Sequence, residues 1–264
     1  MGKDLLGADY YSKESDTAYW SVSQYKRFRE CEARALAELQ GEWTAIRDNT
    51  ALLVGNYVHS YFESQEAHEA FVEENKGDLL AKTGKTKGKL KKDFLVGEEM
   101  IESLKEDKNF MALYRGDKEV AITGDINGVT FKGKIACLNI ARGYFVDIKT
   151  TKGAIDDTIW TGKEPVPWFE AYGYILQMAV YAKLLEDTYG RPFEPIIYAV
   201  TKENPPDTRA IRIQNINAMA AEVEELESRI ERLDEVKKGH IPAEPCGHCE
   251  YCREKKLTPR VMIY

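Results

Sequence analysis

Apolar residues recur along this chain with two different periods, and the change from one to the other divides it. Over 21–39, Tyr25, Phe28, Ala35 and Leu36 fall on one side at helical spacing; Ser21 with Gln24 three residues on forms a capping box at the start, and Gly41 follows the end. A second helix is expected over 52–63, and helical, charged sequence continues to about residue 107. Period-two alternation then predicts strands over 120–126, 129–138 and 145–150. A helix over 168–189 follows, stopped by Gly190 and Pro192. After it come a continuously apolar strand at 195–200, an alternating strand at 209–213, and an amphipathic helix over 218–238 closed by Gly239. The pattern predicts a mixed α/β (α+β) fold: three strands in succession, a helix and further strand, preceded by a helical elaboration. One domain over 1–264 is the economical organisation, with a mainly helical part at 1–115, a sheet and helix at 116–215, and a C-terminal helix and cysteine-rich tail at 216–264. No internal repeat or low-complexity linker divides it.

The run Tyr144-Phe145-Val146-Asp147-Ile148-Lys149-Thr150-Thr151 is apolar and β-branched, yet sets a carboxylate and an ammonium two residues apart. Strand side chains alternate, so Asp147 and Lys149 share a face. Such a pair is also the pattern of an exposed salt bridge, but a metal-dependent phosphodiesterase needs this face: a carboxylate for a hard divalent cation and an ammonium to orient water or offset negative charge. The preceding strand ends in the turn Ile140-Ala141-Arg142-Gly143. If the loop is those four residues, Ala136 lies opposite Asp147; if it is only Arg142-Gly143, Ala136 lies opposite Lys149. Either register puts position 136 on the Asp147/Lys149 face.

These residues resemble the PD-(D/E)xK nuclease superfamily, and within it the RecE-like 5′-to-3′ exonucleases of phage and prophage recombination modules. In that branch the hairpin reads Lys-Gly-x-Ile-Asp-x-Leu, a turn, then Val-Asp-Ile-Lys-Thr-Thr. Lys132, Gly133, Ile135, Leu138, Val146, Asp147, Ile148, Lys149, Thr150 and Thr151 match. Ala136 stands where the family carries its first metal-binding aspartate; this reads as an inactivating Asp→Ala change, with a natural pseudoenzyme as the alternative. The resemblance implies the α-β-β-β-α-β core of the superfamily. Gly55-Asn56-Tyr57-Val58-His59 looks like the Gly-x-x-x-His helix of RecB-type members, whose histidine binds metal, with Glu63 four residues on along the same helix face; the plain alternative for His59 is a core histidine. Gln177 and Tyr181 look like that branch's Gln-x-x-x-Tyr helix beside the site. Glu119 resembles the family's additional acid, with Asp117 and Asp125 as competitors. The implied cofactor is Mg²⁺ or Mn²⁺, held by His59, Glu119, Asp147 and the altered position 136, with Lys149 positioning water and Thr150 and Thr151 near DNA.

A chain of 264 residues, 43% of them hydrophobic, can bury one core of ordinary size, and no apolar run approaches the ~20 residues that cross a bilayer. A cytoplasmic protein of a bacterial host is expected. The net charge of −7 sits awkwardly with a polyanionic substrate, so positive charge must be segregated. Lys82, Lys85, Lys87, Lys89, Lys91 and Lys92 concentrate six lysines in the segment 82–92, either a phosphate-binding patch or a solvated loop. The acidic stretch from Glu222 to Glu235 would face outward.

Cys246, Cys249 and Cys252 put three thiols in seven residues, a spacing that in a reducing compartment suggests metal over disulfides. With Cys31 they resemble, in order and count, the iron-sulfur ligands of some RecB-type nucleases. Zinc, with or without His248, and free thiols remain the alternatives. Cys137 reads as a core thiol. The functional expectation is a metal-dependent exonuclease acting on double-stranded DNA ends, impaired at position 136, partnered with a RecT-type single-strand annealing protein and closed into a homo-oligomeric ring, a tetramer before a trimer. A non-catalytic DNA-end binder and an iron-sulfur RecB-type nuclease are the alternatives.

Overall fold

A computed structural model of the chain describes residues 4–46 and 48–257. The first part is helical: α1 (Lys13–Ala18), α2 (Val22–Glu30), α3 (Glu32–Gln40), α4 (Thr50–Glu63), α5 (Gln65–Glu74), α6 (Lys76–Leu79), α7 (Lys92–Glu106) and α8 (Lys108–Leu113). The single helix expected over 21–39 is two, because Cys31 is extended (φ −165°, ψ 107°), ending α2 and opening α3. The break lets the two pieces pack separately, α2 toward the helix that spans 174–189 and α3 toward the one that spans 216–237, and this tertiary demand overrides the continuous apolar stripe. Only half of the capping box forms. Ser21 Oγ accepts from Gln24 N (3.2 Å), while the Gln24 carboxamide donates to Asp16 O (2.9 Å) and accepts from Lys237 Nζ (2.9 Å).

The strands are β1 (Asp117–Ile126), β2 (Val129–Asn139), β3 (Tyr144–Thr151), β4 (Thr158–Trp160), β5 (Pro165–Pro167), β6 (Glu194–Thr201) and β7 (Thr208–Arg212). β1, β2, β3, β6 and β7 form one sheet in that order, antiparallel except for the β3–β6 pair. The β2–β3 connection is the four-residue turn: Gly143, in the left-handed region (φ 68°), donates to Asn139 O (3.0 Å) and Arg142 N donates to Asn139 Oδ1 (3.0 Å). The parallel β3–β6 pairing requires a crossover, which carries the β4–β5 hairpin, α9 (Trp168–Ala171) and α10 (Tyr174–Tyr189). The hairpin escapes sequence reading because it is short and bordered by Gly and Pro. The helix expected over 168–189 is interrupted at Gly173, whose left-handed backbone (φ 66°) ends α9 and caps α10. α11 (Ile216–Lys237) and the short α12 (Glu250–Glu254) complete the chain.

The sheet has a core on each face. One gathers Trp20, Phe28, Phe131, Phe145, Ile197 and residues of α10 and α11; the other gathers Val58, Phe94, Met100, Phe110, Val146 and Tyr198 between sheet and α4, α7 and α8. The segment before α2 is tied to the hairpin. Trp20 N donates to Thr130 O and Lys132 N to Trp20 O (2.9 and 2.7 Å), and the buried Lys132 ammonium donates to Tyr10 O, Ser15 Oγ and Asp16 Oδ1 (2.6, 2.9 and 2.7 Å). Lys132 therefore anchors the N-terminal segment from within. Among the described residues no helix is long and apolar enough to cross a membrane.

Candidate active site

The β2–β3 ladder runs from Asn139↔Tyr144 to Cys137↔Val146 and stops there. One step further, in the same register, Ala136 faces Asp147. On the other side of β2, the pairs Lys118↔Cys137 and Val120↔Ile135 leave Glu119 opposite Ala136, with Glu119 in the left-handed region (φ 50°). A non-glycine residue with positive φ inside a strand is a costly conformation that reorients its side chain. Ala136 therefore lies between the two acids that sequence analysis assigned to the metal.

Asp147 is the hub. Its Oδ2 accepts from Lys149 Nζ (2.8 Å) and from Gln177 Nε2 on α10 (3.2 Å), and its Oδ1 lies 3.4 Å from His59 Nε2. His59 comes from α4, on the opposite side of the sheet, and its Nε2 also lies 2.5 Å from Ile148 O. Burial depresses the His59 pKa, against the pull of Asp147, favouring the neutral imidazole that ligates metals. Burial also works against the charge on Lys149, but Asp147 and Tyr174, whose ring centroid is 4.5 Å from Nζ, hold its pKa above the ordinary lysine value. Lys149 is a fixed cation.

Glu119 Oε2 lies 3.6 Å from Lys134 Nζ. Burial, Glu63 and Asp147 push the Glu119 carboxyl up to about 7 despite that lysine. Its competitors are placed elsewhere: Asp125 accepts from Gly128 N in the β1–β2 turn (2.7 Å), and Asp117 is exposed at the start of β1. Lys134 is a residue that sequence analysis passed over, although it alternates with Lys132 on the same strand; its Nζ sits 5.2 and 4.9 Å from the ring centroids of Tyr10 and Tyr11, which border the site.

A hard divalent cation takes carboxylate and carbonyl oxygens, and a neutral imidazole can join them. His59 and Asp147 converge as such donors, with Glu119 nearby and the gap at Ala136. Among the described residues, however, only the cysteine quartet brings three or more ligand atoms within 4.8 Å of one another. The acidic centre fits a cation as a half-built site.

Tyr181 packs over Gly133. A Cβ on Gly133 would meet the Tyr181 ring at 2.7 Å and Ile122 Cγ1 at 3.2 Å, so Gly133→Ala is expected to cost about 1–3 kcal/mol of stability, read from urea unfolding. An unchanged midpoint would mean that α10 yields freely. Thr150 is half-buried and Thr151 buried. All six lysines of 82–92 are exposed: Lys82, Lys85, Lys87 and Lys89 lie on the loop closed by the Leu80↔Leu90 bridge, Lys91 caps α7 and Lys92 opens it. Cys31 is brought together with Cys246, Cys249 and Cys252, the nearest of them 215 residues away along the chain. His248 does not join this group; its Nδ1 is engaged with Cys246 O (2.9 Å). Cys137 is buried, as expected of a core thiol, and Lys118 Nζ donates to its sulfur (3.2 Å).

Over residues 21–255 the sequence matches the profile of a family described as a PDDEXK-like domain of unknown function (DUF3799). A solved structure of a protein from Eubacterium rectale, named as a presumed exonuclease, superposes with a TM-score of 0.87 at 30% identity, covering 99% of this chain and 97% of that one. A second solved structure, of SSO0001, covers 91% of this chain and 96% of that one at 15% identity, with a TM-score of 0.32, too low to carry weight. No curated protein matches in sequence.

Proposed function

The chain belongs to the PDDEXK-like family DUF3799, and on that premise we propose that it is a metal-dependent exonuclease of double-stranded DNA ends, working 5′ to 3′ and impaired at Ala136. The observation that carries the reading is the sharing of the Asp147 carboxylate by His59, Lys149 and Gln177 where β2 parts from β3. His59, Glu119 and Asp147, with a carboxylate restored at position 136, would hold Mg²⁺ or Mn²⁺, which when bound polarises the phosphoryl group and lowers the pKa of water.

The remaining work falls to the chain's own groups. Asp147 and the Tyr174 ring pin the Lys149 ammonium, so that it orients water and offsets charge developing on the phosphate. Gln177 fixes the Asp147 rotamer through Oδ2, and Tyr181, packed on Gly133, borders the place where DNA would lie. The named function of the Eubacterium rectale protein agrees with exonuclease chemistry. A phage recombination setting, a RecT-type annealing partner and a ring of identical subunits follow from the resemblance to RecE-like enzymes. The test is digestion of duplex DNA labelled at one end by the Ala136→Asp protein. Early release of the 5′ label supports the polarity; early release of the 3′ label overturns it.

A second reading, a DNA-end binder without catalysis, is favoured by Ala136 itself. Under either reading the exposed lysines of 82–92 supply phosphate contacts to a chain of net charge −7. Replacing Lys85, Lys87 and Lys89 with glutamine is expected to flatten the dependence of log affinity on log salt by about 0.9 for each phosphate no longer neutralised. An unchanged slope would assign the segment to solvent.

A further inference from the structure

Cys31, Cys246, Cys249 and Cys252 are free thiols whose sulfurs all lie within 4.8 Å of one another. Cys31 Sγ and Cys246 Sγ stand 3.8 and 3.9 Å from Cys252 Sγ. These separations are far beyond a disulfide bond of about 2.05 Å. A tetrahedral metal with bonds of about 2.3 Å to sulfur places its four sulfurs about 3.8 Å apart. In a four-iron cluster each thiolate binds a different iron, which spreads the sulfurs to about 6 Å. The quartet has the size of one metal ion.

We propose that these four cysteines form a tetrahedral tetrathiolate site for a single zinc ion, which binds the C-terminal tail to the break between α2 and α3. Each arm of the site is built for it. Cys31 is the extended residue between two helices; Cys249 caps α12 and Cys252 lies within that helix. Gly247, in the left-handed region (φ 78°), turns the chain between Cys246 and Cys249. Backbone N–H groups are aimed at sulfur, Cys246 N at Cys31 Sγ (3.4 Å) and Cys249 N at Cys246 Sγ (3.3 Å), as thiolate ligands require. Arg34, one turn beyond Cys31, is buried; its guanidinium pairs with Glu30 (2.5 Å) and lies 3.9 Å from Glu38, with Cys249 also within its electrostatic reach. Trp43 covers the tail, its Nε1 donating to Glu254 (2.7 Å) and its ring standing edge-on to Tyr251. The site is independent of the nuclease reading.

The test is metal and sulfide analysis of the full chain, purified both in air and under argon from cells supplied with zinc and iron. The expected result is one zinc per chain, no acid-labile sulfide and no colour; exchange for Co²⁺ should give the strong visible absorption of a tetrahedral tetrathiolate centre. Cys252→Ser should lose the zinc, Cys137→Ser should keep it, and Cys246→His should keep the metal while shifting the cobalt spectrum. The cobalt measurement needs no variant, so poor folding of a cysteine mutant leaves the test intact. Four irons with sulfide under argon, or a folded metal-free chain that gives no tetrahedral cobalt spectrum, would overturn the proposal.

Discussion

Ala136→Asp is expected to raise hydrolysis of end-labelled duplex DNA, with Mg²⁺ or Mn²⁺, by about a thousandfold. Stabilisation by a properly held metal amounts to several kcal/mol of barrier, and each ~1.4 kcal/mol is a factor of ten. The site explains why one residue has such leverage. Ala136 is 5% exposed, in register with Asp147 and opposite Glu119, so a carboxylate there would stand between those two acids without rearrangement of the sheet. Without metal, that third acid is packed against two others; its like charge should lower stability, and Mn²⁺ should restore it. The melting temperature of the Ala136→Asp protein should therefore rise with Mn²⁺ more than that of the parent, independently of any DNA. Asp147→Asn in the same background should return activity to the parent's level. A folded Ala136→Asp protein with neither gain in metal binding nor in cleavage would remove position 136 from the ligand set.

The largest effect on stability is expected far from that centre, at Asp107. Its carboxylate caps α8 by accepting from Asn109 N and Phe110 N (2.8 and 3.3 Å), and it also accepts from Tyr198 Oη (2.6 Å) and Thr208 Oγ1 (2.7 Å), joining helix to β6 and β7. Removing a cap costs about 1 kcal/mol, and hydrogen bonds to a charged group more, with the Tyr198 hydroxyl left buried; Asp107→Ala should cost about 3 kcal/mol in chemical unfolding. Burial works to raise the Asp107 pKa, but these four hydrogen bonds outweigh it and hold the carboxyl below its ordinary value. A depressed folded pKa gives stabilisation that is complete above the unfolded value of about 3.9 and is lost as pH falls through the lower folded one. The gap between parent and Asp107→Asn should be constant near neutrality and close below about pH 4. A gap independent of pH would show that the charge contributes nothing.

Strand alternation made the sheet legible, because period two with β-branched residues has few other readings, and it placed Asp147, Lys149 and position 136 on one face from sequence alone. The breaks at Cys31 and Gly173 were not legible, since the apolar stripe runs through both and packing of separate helix pieces decides the matter. Glu119 could be named only by resemblance. What distinguishes it from Asp117 and Asp125 is its place opposite Ala136 together with a positive φ, which alternation cannot express. The half-formed capping box shows the same limit: Gln24 has the right spacing, but Asp16 and Lys237 take its carboxamide. The cysteines were legible as a set, and only the fold shows that Cys31 is brought to the other three.

The Lys132 anchor bears on where this fold can be cut. The family match begins at residue 21, and a fragment trimmed to 21–255 would keep His59, Glu119, Asp147, Lys149 and all four clustered cysteines. It would also delete Tyr10, Ser15 and Asp16, which take all three hydrogen bonds of a lysine 1% exposed, and Trp20, which continues the β2 edge. The excised piece would leave a cation stranded in an apolar interior beside an unclosed strand. The span of the family profile is thus smaller than the part of the chain that Lys132 ties together, and the boundaries of a trimmed fragment belong outside residue 10, not at the edge of the match.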